Sequence, residues 1–205
     1  MPIQAIQNEI EVELTHKCNW NCPYCAIKVH TLPNITEDVA ISKINRIPDN
    51  SIVTLSGGEP GLLSFETVRI ILRTLKDKNC TIYLNTNGMF LKNFPFFLHN
   101  FKQIIYHCSE NLDLTDEIIH PIMKYDIRYM IIVNDDNFHK LNRFLAAHPD
   151  IKFDIVQATY NKVGDGVTLS AENRNKILTM YNKHMTTESI KRLIHEKEWE
   201  LMTFI

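Results

Sequence analysis

The sequence predicts an α/β protein, built as a partial (β/α)6 barrel with parallel strands. Three observations lead to this fold class. Six short apolar or β-branched runs alternate with stretches of helical character. After the first unit these runs begin about every 25 residues, which is the spacing of βα units with short connections. Motifs rich in cysteine, glycine or polar residues directly follow the first three runs, where loops at the carboxyl ends of parallel strands carry binding groups.

The six predicted strands are short and rich in β-branched and aromatic residues, which suit a buried pleated surface. In chain order they are Glu9–Leu14, Ser51–Ser56, Cys80–Asn85, Gln103–Cys108, Arg128–Asn134 and Lys152–Ala158. Strands that alternate with helices pair in parallel through right-handed crossovers. Six units are too few for the closed eight-unit barrel, and a flat doubly wound sheet is the less favoured alternative.

Helices are predicted between these strands. Thr36 and Ser64 are placed to cap the first two, and the second has an apolar face of Val68, Ile71, Leu72 and Leu75. Weaker patterns predict helices at Phe90–Asn100, Leu114–Lys124 and Asn137–His148, with two more in the tail at Ser170–His184 and Thr187–Met202. A single domain over residues 1–205 is expected, with βα units over about 9–158 and C-terminal helices over about 170–202.

Composition excludes several classes of protein. The chain has 205 residues and a formal net charge of −2, with Lys and Arg scattered, so it has no electrostatic footprint for nucleic acid. No apolar run is long enough to span a membrane, and the N-terminus does not resemble a signal peptide. A reducing cytoplasm is therefore expected. Isolated Cys80 and Cys108 are expected to be buried as small apolar side chains.

Three cysteines follow the first strand in "THKCNWNCPYC", with the spacing C-x3-C-x2-C: Cys18, Cys22 and Cys25. In a reducing compartment, such clustering favours metal binding over disulfides. One interpretation is a zinc site with His16 or His30 as the fourth ligand. The other is an iron–sulfur cluster held by three thiolates, which leaves one iron open for chemistry.

Two more motifs follow the second and third strands. In "LSGGEPGLLS", Gly57 and Gly58 permit a tight turn, and Glu59 could bind a ligand ammonium group. In "LNTNG", the amide and hydroxyl groups of Asn85, Thr86 and Asn87 suit sugar hydroxyls, although a turn or helix cap is the plainer interpretation. Ser109 and Asn134 end the next two strands and are weaker candidates for ligand contact. Since parallel strands share one carboxyl edge, these motifs are expected to meet at one rim.

The residues of these motifs resemble the radical S-adenosylmethionine (SAM) enzymes. Cys18, Cys22 and Cys25 match the cluster motif of that superfamily, with an aromatic residue, Tyr24, before the third cysteine. Gly57 to Pro60 match its methionine-binding motif, and Thr86 to Gly88 match a common element of the ribose region. The resemblance covers roughly Glu9 to Gln157. No further cysteine cluster follows these motifs, and in this respect the chain resembles the small single-domain members of the superfamily.

The resemblance implies a [4Fe–4S] cluster at the rim, ligated by the three cysteines, whose open iron is chelated by SAM. SAM would be cleaved reductively to a 5′-deoxyadenosyl radical that abstracts hydrogen from a substrate. The implied SAM-binding residues are Tyr24 near the adenine, Gly57, Gly58, Glu59 and Pro60 at the methionine, and Asn85, Thr86, Asn87, Ser109 and Asn134 near the ribose or carboxylate. In that case His16 is not expected to be a metal ligand.

The implied partners are an external one-electron reductant, of the flavodoxin or ferredoxin kind, and an unidentified small-molecule, nucleotide or peptide substrate. Tyr106, Tyr129 and Gln157 are candidates for contact with that substrate inside the barrel. Two alternatives stay open at this point: a zinc-stabilised binding module with three cysteines and one histidine, and a core that binds SAM without radical catalysis.

Overall fold

The structure is a computed structural model, which describes residues 8–22, 25, 29–108, 125–133, 135, 138–147, 153–157 and 170–180. Its six strands are β1 Glu9–Glu13, β2 Ile52–Ser56, β3 Thr81–Thr86, β4 Gln103–His107, β5 Ile127–Val133 and β6 Phe153–Gln157. Every predicted strand is confirmed, with bounds that differ by at most one residue at each end.

The described helices are α1 Glu37–Asn45, α2 Phe65–Asp77, α3 Met89–Asn93, α4 Phe138–Ala147 and α5 Ala171–Met180. Short 3-10 turns lie at Val29–Thr31, Pro60–Leu62 and Pro95–Asn100. The helices predicted at Leu114–Lys124 and Thr187–Met202 lie outside the described residues. No described helix is long and apolar enough to cross a bilayer.

The contacts of the described residues group them into two compact units. The first contains the chain up to Tyr106, apart from Cys22 and Cys25, and also residues 125–127. The second contains Cys22, Cys25, His107 and Cys108, and the described chain from Arg128 onward. The expectation of a single domain stays a prediction.

In the first unit, β1 pairs with β2, β2 with β3 and β3 with β4, all in parallel. The register places Val12 beside Leu55, Leu55 beside Leu84 and Leu84 beside Ile104. These four side chains are buried and share one face of the strands, where they form an apolar core. The parallel strands confirm the predicted α/β class.

Both predicted helix caps are confirmed. The Thr36 side chain accepts a hydrogen bond from the backbone N–H of Val39, and Ser64 accepts one from Thr67. The predicted apolar face of α2 is also buried. The side chain of Glu37 joins the two caps, because it accepts hydrogen bonds from the backbone N–H and hydroxyl of Ser64, at 2.9 and 2.6 Å, and from the hydroxyl of Thr67.

The helix predicted over Phe90–Asn100 is confirmed in part, because the segment forms a short α-helix and a 3-10 turn instead of one helix. Helix α3 ends at Asn93, and a 3-10 turn begins at Pro95. Proline lacks a backbone N–H and disfavours helical backbone in the residue before it, so Phe94 leaves the helix, with φ −131° and ψ 46°. The prediction of burial is confirmed for Cys108 but is wrong for Cys80, which is half-buried just before β3.

The second unit has the same kind of pairing, since β5 runs parallel to β6 with Ile131 beside Ile155. Cys108 donates its backbone N–H to the carbonyl of Met130 at 3.0 Å. Asp135 accepts hydrogen bonds from the backbone N–H of Ser170 and the side chain of Asn173, and so holds the start of α5. Helix α4 and the described part of the predicted Ser170–His184 helix are confirmed.

Candidate functional site

The turn after β2 packs directly on the backbone that leads to Cys18. The backbone N–H of Gly58 donates to the carbonyl of Thr15 at 2.6 Å, and that of Glu59 donates to the carbonyl of Lys17 at 2.8 Å. Gly57 has φ +119°, a backbone conformation that residues other than glycine rarely adopt. A Cβ atom on Gly58 would overlap the Lys17 carbonyl. Both glycines are therefore needed for this close approach of two loops.

The carboxylate of Glu59 is completely buried, with 0% exposure, and both of its oxygens accept hydrogen bonds from the protein. Oε1 accepts from the backbone N–H of Gly61 at 2.8 Å and of Phe90 at 3.1 Å. Oε2 accepts from the backbone N–H of Asn87 at 2.7 Å, and the Thr86 hydroxyl lies 2.8 and 3.0 Å from the two oxygens. The Glu59 side chain therefore joins the turn after β2 to the loop after β3.

The electrostatics of Glu59 follow from these contacts. Burial raises the pKa of its carboxyl group, while the backbone N–H groups of Asn87, Gly61 and Phe90 and the hydroxyl of Thr86 oppose that rise. All of these neighbours are donors, which suit an ionised carboxylate that accepts several hydrogen bonds at once.

Glu59 also completes the start of helix α3. The N-cap residue is Gly88, with φ +104°, and it makes no side-chain capping bond. Helix starts leave backbone N–H groups without intrahelical partners. Glu59 Oε1 satisfies the N–H of Phe90, and the Thr86 hydroxyl satisfies the N–H of Gly88 at 3.0 Å. The first turn of α3 is therefore held by side chains from β3 and from the turn after β2.

Asn87 connects this network to the cysteine loop. Its side-chain Nδ2 donates to Asn19 Oδ1 at 2.9 Å and to Cys18 Sγ at 3.7 Å. Its Oδ1 accepts from the backbone N–H of Met89 at 3.3 Å, which fixes which end of the amide faces the sulfur. Sequence reasoning does not single out Asn19, because an asparagine in an irregular loop has no periodicity or spacing to mark it.

The three residues of "NTN" therefore have different surroundings. Thr86 is buried and directed to Glu59, and the Asn87 amide is directed to Asn19 and Cys18. The Oδ1 of Asn85 is buried and, within the part of the chain that the structure describes, has no hydrogen-bond partner. An unsatisfied buried acceptor is costly, so Asn85 is the one of the three that is suited to receive a ligand hydroxyl.

The three clustered cysteines are all half-buried, and none of the five cysteines forms a disulfide. Cys18 Sγ also accepts a hydrogen bond from the backbone N–H of Trp20 at 3.4 Å, and Cys25 donates its backbone N–H to the carbonyl of Cys22 at 3.1 Å. Among the described residues, no three His, Cys, Asp or Glu side chains are gathered tightly enough to hold a metal ion. The donor set of three thiols, one with two N–H donors at its sulfur, fits an iron–sulfur cluster in its chemistry.

The two histidines considered as zinc ligands have other partners. The ring nitrogens of His16 lie 2.6 Å from the carbonyl of Pro33 and 3.2 Å from a carboxylate oxygen of Glu13. His30 Nε2 lies 2.5 Å from the carbonyl of Trp20. Neither ring is directed at a cysteine sulfur in these contacts, which removes the geometric support for a three-cysteine, one-histidine zinc site.

The remaining predicted residues divide into two groups. Pro60 is buried and begins the 3-10 turn after Glu59. Tyr106 is fully buried and its ring packs against Gly88, and Tyr129 is also buried, with burial raising its pKa to about 12. Tyr24, Ser109, Asn134 and the side chain of Gln157 lie outside the described residues.

Comparison with known protein families identifies the class of protein. The family model described as "Radical SAM superfamily" matches residues 12–133, which run from the end of β1 to the end of β5 and contain all three motifs. The chain belongs to this superfamily and is an enzyme of the radical SAM class. The cofactors of the superfamily are a [4Fe–4S] cluster and SAM. The alternative of a zinc-stabilised binding module is therefore set aside.

Two proteins of Methanocaldococcus jannaschii are similar over part of their length. A protein named "Putative glycyl-radical enzyme activating enzyme MJ1632" is 31% identical over 83 residues, which is 39% of this chain and 32% of that protein. An uncharacterized protein, MJ0804, is 33% identical over 92 residues, which is 44% of this chain and 29% of that protein. The matched segments thus span about a third of these relatives.

The fold is similar to solved structures of a radical SAM enzyme, anSMEcpe. The structure with bound AdoMet and the Cp18Cys peptide has a TM-score of 0.55 and 16% identity, and the similarity covers 84% of this chain and 58% of that one. The structure with bound AdoMet alone has a TM-score of 0.58 and 14% identity over the same shares. These similarities confirm the predicted α/β partial barrel.

Proposed function

We propose that this chain cleaves SAM reductively, with a [4Fe–4S] cluster held by Cys18, Cys22 and Cys25, and uses the 5′-deoxyadenosyl radical to abstract hydrogen from a substrate. The observation that carries the proposal is the direct hydrogen bonding among the loops after β1, β2 and β3. Gly58 bonds to Thr15, and Glu59 bonds to Asn87. Asn87 in turn reaches Cys18. When bound, the cluster supplies one electron to the sulfonium of SAM.

The turn at Gly57 and Gly58 is proposed to receive the methionine ammonium group through its backbone. The Glu59 carboxylate is buried and accepts hydrogen bonds from four protein groups, which supports a role in holding that turn rather than in direct contact with a ligand. Within the described chain, no donor is bonded to the carbonyl oxygens of Gly57 and Gly58. Carbonyl oxygens that converge in a tight turn are suitable acceptors for an ammonium group.

Asn85 is proposed to accept a hydrogen bond from a ribose hydroxyl of SAM. Its buried Oδ1 has no partner among the described residues, and a hydroxyl donor would remove that cost. Tyr24 is proposed near the adenine, and Ser109 and Asn134 are proposed near the ribose or carboxylate, on the resemblance alone.

The decisive experiment combines iron analysis with a cleavage assay on anaerobically reconstituted protein. We expect a brown protein that contains about four irons per chain and releases 5′-deoxyadenosine from SAM after reduction. Cys22→Ala should lose both the cluster and the cleavage. Cys80→Ala is the matched control, since Cys80 is a half-buried thiol away from the motif, and it should keep both.

A reconstituted cluster that never cleaves SAM under several reductants would overturn the proposal. That result would leave a core that binds SAM without radical catalysis. A colourless protein with one zinc would contradict the cluster itself.

Activation of a partner protein is a second candidate for the final reaction. It is favoured by the similarity to the relative named as a glycyl-radical enzyme activating enzyme. The test mixes the reduced enzyme and SAM with a glycyl-radical enzyme encoded by the same genome. A stable glycyl radical in electron paramagnetic resonance, with one 5′-deoxyadenosine per radical, would support activation, and cleavage with no radical transfer would contradict it.

A further inference from the structure

We infer that Asn87 is a positioning residue for the cluster: its side-chain amide donates a hydrogen bond to the sulfur of Cys18 and thereby raises the reduction potential of the cluster. The inference rests on the proposed ligation of the cluster by Cys18. It assigns to Asn87 a role at the thiolate rather than at the ribose.

The geometry around Asn87 supports this role. Its backbone N–H is held by the buried Glu59 carboxylate at 2.7 Å, and its Oδ1 is held by the N–H of Met89 at 3.3 Å. The orientation of the amide is therefore fixed from both ends. The two hydrogens of Nδ2 then point to Asn19 Oδ1 at 2.9 Å and to Cys18 Sγ at 3.7 Å. Neither Nδ2 hydrogen is left to donate to a ribose hydroxyl.

The effect on the cluster follows from electrostatics. A one-electron reduction adds negative charge that spreads onto the cysteine sulfurs. Hydrogen-bond donors to those sulfurs stabilise the reduced form more than the oxidised form, and so raise the potential. Among the contacts that the structure describes, Cys18 Sγ accepts hydrogen bonds from the backbone N–H of Trp20 at 3.4 Å and from the side-chain amide of Asn87. The Asn87 amide belongs to a side chain, so a substitution can remove it.

The arrangement also links two cofactor sites through one residue. Asn87 follows β3, whose Asn85 is the proposed ribose contact, and its backbone is bonded to the glutamate that holds the proposed methionine turn.

The test is a potentiometric titration of the reconstituted cluster in the absence of SAM. Electron paramagnetic resonance measures the fraction of reduced cluster at each potential. The Asn87→Leu variant should lower the equilibrium constant for reduction roughly threefold to tenfold, and tenfold corresponds to about 59 mV for one electron. Asn87→Asp keeps the acceptor for the Met89 N–H but replaces the donor by a negative charge beside the sulfur, so its potential should fall further. Both should retain the iron content of the unmodified protein.

Asn93→Leu is the matched control. Asn93 is an exposed asparagine and the last residue of α3, and its side chain donates a hydrogen bond to the Gly61 carbonyl at 3.0 Å rather than to a sulfur. The cluster of the Asn93→Leu variant should have the same midpoint potential as the cluster of the unmodified protein. Asn19→Ala removes the other acceptor of Nδ2 and should shift the potential less than Asn87→Leu does.

The outcomes separate this inference from the proposed function. Unchanged potentials in both Asn87 variants, with full clusters, would overturn it even if SAM is cleaved normally. Loss of the cluster from both variants, with Asn93→Leu intact, would also overturn it, because Asn87 would then serve assembly and not potential. An unmodified protein that binds no cluster would instead refute the proposed function.

Discussion

At the scale of single residues, the most informative side chain is a glutamate whose two carboxylate oxygens accept hydrogen bonds from other groups of the protein. Glu59 is fully buried and accepts hydrogen bonds from three backbone N–H groups and one hydroxyl. A carboxylate in such surroundings fixes the positions of its donors, because each would otherwise be a buried donor without a partner. Its contribution to SAM binding is therefore expected to be indirect.

Glu59→Gln should lower the free energy of unfolding of the cluster-free protein by about 2–3 kcal/mol, since an NH2 group would face N–H donors at one end of the amide. The affinity of the reconstituted protein for SAM should fall with it. Urea denaturation and equilibrium binding measure the two effects. Glu66→Gln is the control, because Glu66 is an exposed residue of α2 paired with Arg69.

A loss of SAM affinity without a loss of stability would indicate a different role for Glu59. If Glu59→Gln weakened SAM binding but left the stability of the cluster-free protein unchanged, the carboxylate would contact the ligand directly rather than hold the loops.

At the scale of elements, the starts of α1 and α2 are joined through one carboxylate. Glu37 in the first turn of α1 accepts hydrogen bonds from Ser64, the N-cap of α2, and from Thr67 in its first turn. The Ser64 hydroxyl, followed by the Thr67 hydroxyl, holds the pKa of Glu37 below its ordinary value of 4.5. The start of α2, the helix that follows the proposed SAM-binding turn, is thus fixed by α1.

Glu37→Gln should lower the free energy of unfolding by about 1–2 kcal/mol near neutral pH, because charge-assisted hydrogen bonds to a helix cap are lost. The depressed pKa of Glu37 sets the sign of the pH dependence. The stabilisation is fully present above the unfolded value of 4.5 and is lost as the pH falls through the lower folded value.

Urea denaturation of both proteins across this acid range measures the effect. The difference between Glu37→Gln and the unmodified protein should shrink as the pH falls. Asp38→Asn is the control, since no hydrogen bond from Asp38 to α2 is present in the described chain. A difference that stays constant with pH would contradict the proposed contribution of the charge.

The elements were predictable where one short stretch of sequence determines them. The strands are apolar runs bounded by turn residues, and the caps at Thr36 and Ser64 are local patterns, so both follow from neighbouring residues. The helix predicted over Phe90–Asn100 is divided into a short α-helix and a 3-10 turn, because Pro95 interrupts the helical backbone. Cys80 is half-buried because it lies at the end of the connection before β3 rather than within the strand.

At the scale of the whole molecule, the sequence predicts which loops contain the candidate cofactor-binding residues. It does not predict which group each of their side chains contacts. The order of strands and the position of each motif place the three loops at one carboxyl edge. The bonds of Glu59 to Phe90 and of Asn87 to Cys18 join residues far apart in sequence, and no local pattern encodes them. The inferred role of Asn87 at the cluster replaces a ribose contact only as a proposal, and Asn85 keeps the proposed ribose contact.

The proposed site also predicts how cofactor binding affects thermal stability. SAM at about one hundred times its dissociation constant should stabilise the reconstituted protein by about 2.7 kcal/mol, because it binds only the folded state. The Cys22→Ala protein should gain much less, since it lacks the iron that chelates the amino acid group. Thermal unfolding under anaerobic conditions, with and without SAM, measures both.

Equal stabilisation of the two proteins would indicate that SAM binds without the cluster. The unmodified protein before reconstitution is the matched control, and it should behave as Cys22→Ala does.

The hydrogen bond between Asn87 and Cys18 has a consequence for biosynthesis, since these residues are 69 positions apart. During translation, the cysteine loop leaves the ribosome well before β3 has been made. Contacts between distant residues form only after the intervening chain is available to fold. A cluster loaded onto the nascent chain would therefore lack the amide donor of Asn87, and we expect its reduction potential to stay lower until β3 has left the ribosomal tunnel and packed beside the cysteine loop.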